Sequence, residues 1–314
     1  MTKARPFIKW VGGKGQLLSQ FQNYYPHDLR KHRITKFAEP FLGGGAVFFD
    51  VMQRFDIKSG YISDVNKDLV LTYWVVQQKY DSLLDFLDQY QKEYDNTPTE
   101  KRNDLFLEIR KHFNQQRFEI NYKHLSDNWI PRAAQLIFLN KTCFNGLFRL
   151  NSKGEFNVPF GKHPTPTIID EVNIKAAHRV LQRAEIRIGN YNDSINFIDD
   201  NTFAYFDPPY RPLSDTSSFT TYAGKTFTDN DQREVANYFQ HLDNTTNAML
   251  MLSNSDPKNS NPNDVFFENI FPNYNFHQVS ANRAINSKGD KRGAINELII
   301  TNYNYEPQTL AFDF

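Results

Sequence analysis

The sequence predicts an α/β protein whose sheet is interrupted by a mainly helical insertion. Three observations carry this. Residues 36–64 read as strand, glycine turn, helix and a second strand ending in an acid. Residues 66–145 mix polar and apolar positions at helical spacing, with few strand signals. After about residue 170 short buried strands and helices alternate again. The first pattern is that of a nucleotide-binding βαβ unit, so the sheet is expected to be Rossmann-like.

The elements follow in order. Lys36-Phe37-Ala38-Glu39-Pro40-Phe41 reads as a short strand. Gly43-Gly44-Gly45 forms the turn, 46–55 a helix, and Tyr61-Ile62-Ser63 a strand closed by Asp64. Within the insertion Pro98 and Pro131 are expected helix boundaries. Residues 149–161 read as a hairpin, because Asn151-Ser152-Lys153-Gly154 supplies turn residues between extended flanks. Beyond it, 172–184 and 232–242 are expected helices. Residues 185–188, 202–206, 248–253 and 297–301 are expected strands. The tail after Tyr305 is expected to be loosely held. This gives a discontinuous catalytic domain, 1–65 plus 170–314, around an inserted domain, 66–169.

Composition narrows the function classes. The 314 residues suit one α/β domain with an insertion, or two domains. Basic and acidic side chains balance to a net charge of zero, so a nucleic-acid partner must be met by locally concentrated positive charge. The single cysteine, Cys143, excludes a disulfide within the chain and fits a cytoplasmic location. No apolar run approaches a membrane span, and the eight histidines show no metal-site spacing.

The most specific motif is Asp207-Pro208-Pro209-Tyr210, directly after the apolar run Phe203-Ala204-Tyr205-Phe206. Two prolines cannot continue a sheet ladder, so they force a rigid turn at the strand's carboxyl end, where open α/β sheets bind ligands. An acid, fixed carbonyls and an aromatic ring together suit an extruded adenine. Asp207 and the Pro208 carbonyl can accept from its exocyclic amine while Tyr210 stacks on the ring. The alternative is a strand-ending turn with a solvated acid.

The glycine loop, Glu39-Pro40-Phe41-Leu42-Gly43-Gly44-Gly45, lets backbone approach a cofactor. A dinucleotide fingerprint needs glycine at position 48, and Phe48 stands there, which disfavours a nicotinamide cofactor. Asp64 is placed to take ribose hydroxyls, or alternatively to cap the next helix. Lys9-Trp10-Val11-Gly12-Gly13-Lys14 is not a P-loop: its first glycine is missing and Gly15 follows the lysine. Trp10 could cover a cofactor, and Lys14 could touch the cofactor's carboxylate or DNA. Between Lys141 and His163, four basic residues face one acid, Glu155, with four phenylalanines interleaved. That composition fits a DNA contact or a solvated hairpin. Cys143 follows Thr142 rather than a proline and reads as packing, not as a nucleophile.

Taken together and in this order, these motifs resemble the Dam family of DNA adenine methyltransferases, α group, over about residues 7–303. The resemblance implies a Rossmann-like methyltransferase sheet with an inserted target-recognition domain, S-adenosyl-L-methionine as cofactor, and double-stranded DNA as substrate. It implies cofactor binding by Trp10, Lys14, Asp64 and the Glu39-Pro40-Phe41-x-Gly43-x-Gly45 loop. Asp207 would serve both the cofactor–adenine site and catalysis, with Pro208 and Tyr210. Asn145-Gly146-Leu147-Phe148-Arg149 and Gly154-Glu155-Phe156-Asn157-Val158-Pro159-Phe160-Gly161 resemble the recognition hairpin of enzymes that modify GATC. By that likeness Lys9, Asn145, Leu147, Arg149 and Pro159 contact DNA, and Phe144 wedges into the base stack. His163 stands where the family has a thymine-reading Tyr. Residues 212–214 and Ser218-Phe219-Thr220-x-Tyr222 resemble a substrate loop. Cytosine-N4 enzymes carry Ser at the place of Asp207, and glutamine or RNA enzymes carry Asn; Asp207 disfavours both. The protein is expected to be monomeric.

Overall fold

The computed structural model describes residues 2–211, 221–222, 225–282 and 294–304. The substrate-loop residues 212–214 and 218–220 and the tail from 305 lie outside the described residues.

The chain opens with α1 (Leu18–Tyr24), α2 (His27–Arg30), β1 (Lys36–Glu39), α3 (Ala46–Arg54) and β2 (Ser59–Asp64). Four helices follow: α4 (Lys67–Gln78), α5 (Tyr80–Asn96), α6 (Arg102–Gln116) and α7 (Trp129–Thr142). Then come α8 (Glu171–Leu181), β3 (Ala184–Ile188), β4 (Thr202–Phe206), β5 (Thr221–Tyr222) and β6 (Lys225–Thr226). The last elements are α9 (Asp229–Thr245), β7 (Met249–Ser255), α10 (Phe266–Ile270), β8 (Asn275–Asn282) and β9 (Ala294–Thr301).

A seven-stranded sheet has the order β3-β2-β1-β4-β7-β9-β8. β4 pairs in parallel with β1 and β7, whereas β9 is antiparallel to β7 and β8. The central strand β4 is buried at every position, which explains its unbroken apolar sequence. The expected α/β class with a Rossmann-like sheet is therefore present.

By its contacts the chain forms two compact units: residues 1–13, 42–49 and 62–190 make one, and residues 14–41, 50–61 and 191–314 the other. In the first, Trp74 of α4 stacks on Trp129 of α7 with ring centroids 5.1 Å apart. Buried Arg132 of α7 forks onto Asp68 of α4 at 2.5 and 2.9 Å and donates to the Phe113 carbonyl of α6 at 2.8 Å. One guanidinium thus ties three helices. Pro98 sits between helices, and Pro131 marks the start of α7, lying in its first turn where its missing N–H costs nothing. The expected hairpin is held by two isolated antiparallel bridges, Leu150↔Phe156 and Cys143↔Phe160, rather than a ladder.

In the second unit, Val235, Phe239 and Leu242 line one face of α9 and join an apolar cluster with Phe206, Leu250 and Leu252 of β4 and β7. A capping box between Thr228 and Asp231 starts α9, three residues before the expected start. β8 has no counterpart among the expected strands. Its sequence, Asn-Phe-His-Gln-Val-Ser-Ala-Asn, is too polar to read as a buried strand, and as an edge strand it needs only one partner.

Candidate active site

The Asp-Pro-Pro-Tyr turn leaves the end of β4 in the second unit. Asp207 is held from two sides. The Lys14 ammonium donates to its Oδ2 at 2.7 Å, and the Ser253 hydroxyl of β7 donates to its Oδ1 at 3.0 Å. Behind Ser253, the Tyr205 hydroxyl lies 2.6 Å from its Oγ. Lys14 is almost fully buried, although it lies far upstream in sequence. Its ammonium also sits 4.6 Å from the centroid of the Tyr210 ring. Burial raises the Asp207 carboxyl above the ordinary aspartate value; Lys14 and then the Ser253 hydroxyl pull against that rise.

The backbone of the turn is fixed as tightly. Buried Gln232 of α9 donates from Nε2 to the Pro209 carbonyl at 2.8 Å. Asn254 of β7 donates to Gln232 at 3.2 Å and accepts the Arg211 N–H at 3.1 Å. The Arg211 guanidinium then reaches Asp229 at 2.7 and 3.0 Å and Asp264 at 2.7 Å. Pro208 is buried, and its carbonyl accepts no hydrogen bond from the described residues. The Tyr210 hydroxyl donates to Glu297 of β9, and burial holds the phenol well above its usual value, so it stays protonated. The corner thus presents a clamped carboxylate, one open carbonyl and a fixed aromatic ring.

Glu39, Pro40 and Phe41 are all buried at the end of β1, and Phe41 stacks on Tyr191 at 5.2 Å.

The first unit holds the rest of the glycine loop. Gly43 and Gly45 adopt φ of +49° and +66°, the left-handed region. A Cβ on Gly43 would come within 3.0 Å of Trp10 Cδ1, and one on Gly45 within 2.8 Å of the Tyr73 hydroxyl. Only glycine lets this backbone pass against Trp10, whose ring stacks on Phe148 at 5.3 Å. Buried Asp64 accepts from the Gly43 N–H at 3.1 Å and from the Asn66 N–H at 2.8 Å. It does not cap the following helix. Asn66 does, accepting the Leu69 N–H at 3.1 Å.

The residues expected to contact DNA also lie in the first unit. Asn140 of α7 accepts the Lys9 N–H at 2.8 Å and donates to the carbonyls of Lys9 and Gly146, both at 2.9 Å. This staples the N-terminal lysine to the 144–147 turn. Phe144 is 51% exposed and Asn145 takes φ of +57°. Pro159 is exposed, and its carbonyl accepts the Phe144 N–H at 2.9 Å. Leu147 is half-buried. Arg149 is exposed and rests on Asn157, donating from Nε to its Oδ1 at 2.8 Å and from Nη2 to its carbonyl at 3.2 Å. The His163 ring lies against the Cys143 carbonyl at 3.1 Å. Cys143 is buried and its thiol is pushed up to about 11 by burial, which disqualifies it as a neutral-pH nucleophile.

Residues 10–285 match the family model for D12 class N6 adenine-specific DNA methyltransferase. The chain belongs to this family. It is 42% identical over 302 residues to the Type II methyltransferase M.MjaIII of Methanocaldococcus jannaschii, covering 96% of this chain and 100% of that protein. It is 34% identical over 301 residues to the Type II methyltransferase M1.LlaDCHI of Lactococcus lactis subsp. cremoris, 95% of each chain. It is 30% identical over 299 residues to the DNA adenine methylase of Escherichia coli strain K12, again 95% of each.

For a D12 methyltransferase the grouping of residues is informative. Asp207, Pro208, Tyr210 and Lys14 come together in one unit. Trp10, Gly43, Gly45 and Asp64 come together in the other, as do Lys9 and the 144–149 turn. Sequence reasoning missed Ser253, Gln232, Asn254 and Glu297. The signal for Ser253 and Asn254 was their place at the carboxyl end of a buried strand. Gln232 and Glu297 carried none. Among the described residues no helix is long and apolar enough to cross a membrane.

Proposed function

We propose that this chain transfers a methyl group from S-adenosyl-L-methionine to the N6 amine of adenine in double-stranded DNA, at 5'-GATC-3', after extruding the base from the helix. The observation that carries the reading is the corner after β4: Asp207 clamped by Lys14 and Ser253 beside a buried Pro208 carbonyl with no partner among the described residues.

The loop at 43–45 fits a nucleoside cofactor, because its left-handed glycines carry no side chain and run close against Trp10 and Tyr73. Trp10, Gly43, Gly45 and Asp64, together with Lys14, Glu39, Pro40, Phe41 and Asp207, would hold it. Asp64 accepts two backbone N–H groups, which fixes the loop at the end of β2. When bound, S-adenosylmethionine supplies a methyl on an electron-poor sulfur.

The protein's own work is positioning and polarity. Asp207 and the Pro208 carbonyl accept hydrogen bonds from the two amine hydrogens, which draws the nitrogen lone pair out of conjugation with the ring. With the cofactor bound, that pair would take up the methyl carbon, its sulfur keeping the electrons of the broken S–C bond, and the proton lost by the nitrogen would pass to solvent. Tyr210 stacks on the base. Residues 66–169 serve as the recognition domain and 1–65 with 170–314 as the catalytic domain. Lys9, Asn145, Leu147, Arg149, Pro159 and His163 contact the DNA, and Phe144 fills the gap in the stack.

The test is to map modified bases in DNA from cells expressing the protein. N6-methyladenine confined to GATC is the expected result. Methylation at other adenine sites would overturn the site preference. A methylated cytosine, or no modified base despite cofactor binding, would overturn the reaction.

A further inference from the structure

Half-buried Glu297 was not assigned to the reaction by sequence reasoning, yet it meets Tyr210, which was. Its place is set by strand register: in β9 it stands opposite Ser255 of β7 and Val279 of β8, neither of which titrates. Its Oε2 accepts the Tyr210 hydroxyl. The Tyr210 ring carries the Lys14 ammonium at 4.6 Å, and that ammonium pairs with Asp207 at 2.7 Å. Among the described residues the Lys14 ammonium therefore acts on both carboxylates, with the phenol between them. Arg211, the nearest basic residue in sequence, is engaged elsewhere with Asp229 and Asp264.

We propose that Glu297 is a positioning residue for the methyl-transfer corner: it fixes the Tyr210 ring through the phenol and shares the charge of Lys14 with Asp207. The proposal rests on the reading of Tyr210 as the platform for the adenine. A tyrosine ring anchored only at Cβ can swing, whereas one held at its hydroxyl and braced on its face by an ammonium cannot. A base stacked on a fixed ring keeps its amine at Asp207 and Pro208. The electrostatic part has a sign. Burial first, and then the charge of Asp207, hold the Glu297 carboxyl above the ordinary glutamate value, while Lys14 and the Tyr210 hydroxyl oppose this. Among the described residues Tyr205 also faces this cluster and is kept protonated, by burial first and then by the charges of Asp207, Glu39 and Glu297. Removing the Glu297 charge takes a negative charge away from the Lys14–Asp207 pair, and Asp207 then ionises more easily.

The experiment compares Glu297→Leu and Glu297→Gln with Tyr210→Phe and Tyr210→Ala in the full chain, reading kcat, KM for DNA, and the pH profile of kcat. Glu297→Leu removes the acceptor and is expected to lower kcat about tenfold, the scale of one hydrogen bond, with KM little changed. The same change made in the Tyr210→Phe background is expected to cost almost nothing more, because the hydroxyl is already gone. Glu297→Gln keeps an acceptor and removes the charge. It is expected to retain plateau kcat and to move the acid limb to lower pH. It also serves as the folding-competent variant should the leucine fail to fold. Additive losses from Glu297→Leu and Tyr210→Phe, or an unmoved acid limb in Glu297→Gln, would overturn the proposal. Full activity in Tyr210→Ala would instead overturn the reading of Tyr210 itself.

Discussion

At the scale of single residues, the acid at 207 and its aromatic neighbour were legible because proline pairs leave few conformations open. Lys14 was marked for the site by its motif but not as the partner of Asp207, and Ser253 and Glu297, which reach the corner from two other strands, were not legible because no local pattern announces such convergence. Asp64 shows the opposite case: its burial and its hold on Gly43 follow from a loop that the sequence did mark. The raised carboxyl of Asp207 gives a pH prediction. Protonation removes an acceptor needed by the amine, so kcat falls as pH drops through that raised value. The acid limb should therefore lie above the range of a free aspartate, and it should vanish in Asp207→Asn along with most of the activity. A limb in the ordinary aspartate range would contradict the desolvated corner. Cys143→Ala, by contrast, should leave kcat unchanged and lower stability by about 1 kcal/mol through a small cavity. A parallel turnover assay and urea melt would check both.

At the scale of elements, helices and buried strands were readable from periodicity. β8 was not, because an edge strand needs little apolar sequence, whereas the hairpin was marked by its turn residues even though only isolated bridges hold it. The staple formed by Asn140 was equally silent, since a buried polar residue inside α7 looks like any helical asparagine. Its three hydrogen bonds tie Lys9 to Gly146. At about 1 kcal/mol each, Asn140→Ala should destabilise the protein by about 3 kcal/mol in denaturant unfolding. Gly146→Ala attacks the same junction from the other side. Its Cβ would fall 2.5 Å from Lys9 Cδ, and its φ of +65° adds about 1–2 kcal/mol of strain. We expect both variants to blur discrimination among single-base variants of the DNA site more than they slow turnover on the preferred one. Unchanged selectivity in duplex competition would show that the junction does not set the position of Lys9 on DNA.

At the scale of the whole molecule, a net charge of zero conceals a local asymmetry in the 141–163 segment. Exposed Lys153 and Lys162 should contribute to DNA affinity without base preference, so neutralising either should weaken binding evenly and reduce its salt slope by about one. Arg149→Ala should instead relax discrimination at one base by about 1–3 kcal/mol. The α/β class and the family were legible because the motifs keep their order along the chain. The division into two units was not, since residues 13/14, 41/42 and 49/50 mark boundaries inside the motifs and helices themselves. The central claim is that the 207–210 corner acts on the transferring methyl group rather than on binding. Single-turnover methyl transfer by Asp207→Ala, measured beside its dissociation constants for cofactor and DNA, tests it most directly. The expected rate is lower by about two or more orders of magnitude, on the order of a lost transition-state contact pair, with DNA affinity nearly unchanged; a wild-type transfer rate in that variant would contradict the claim.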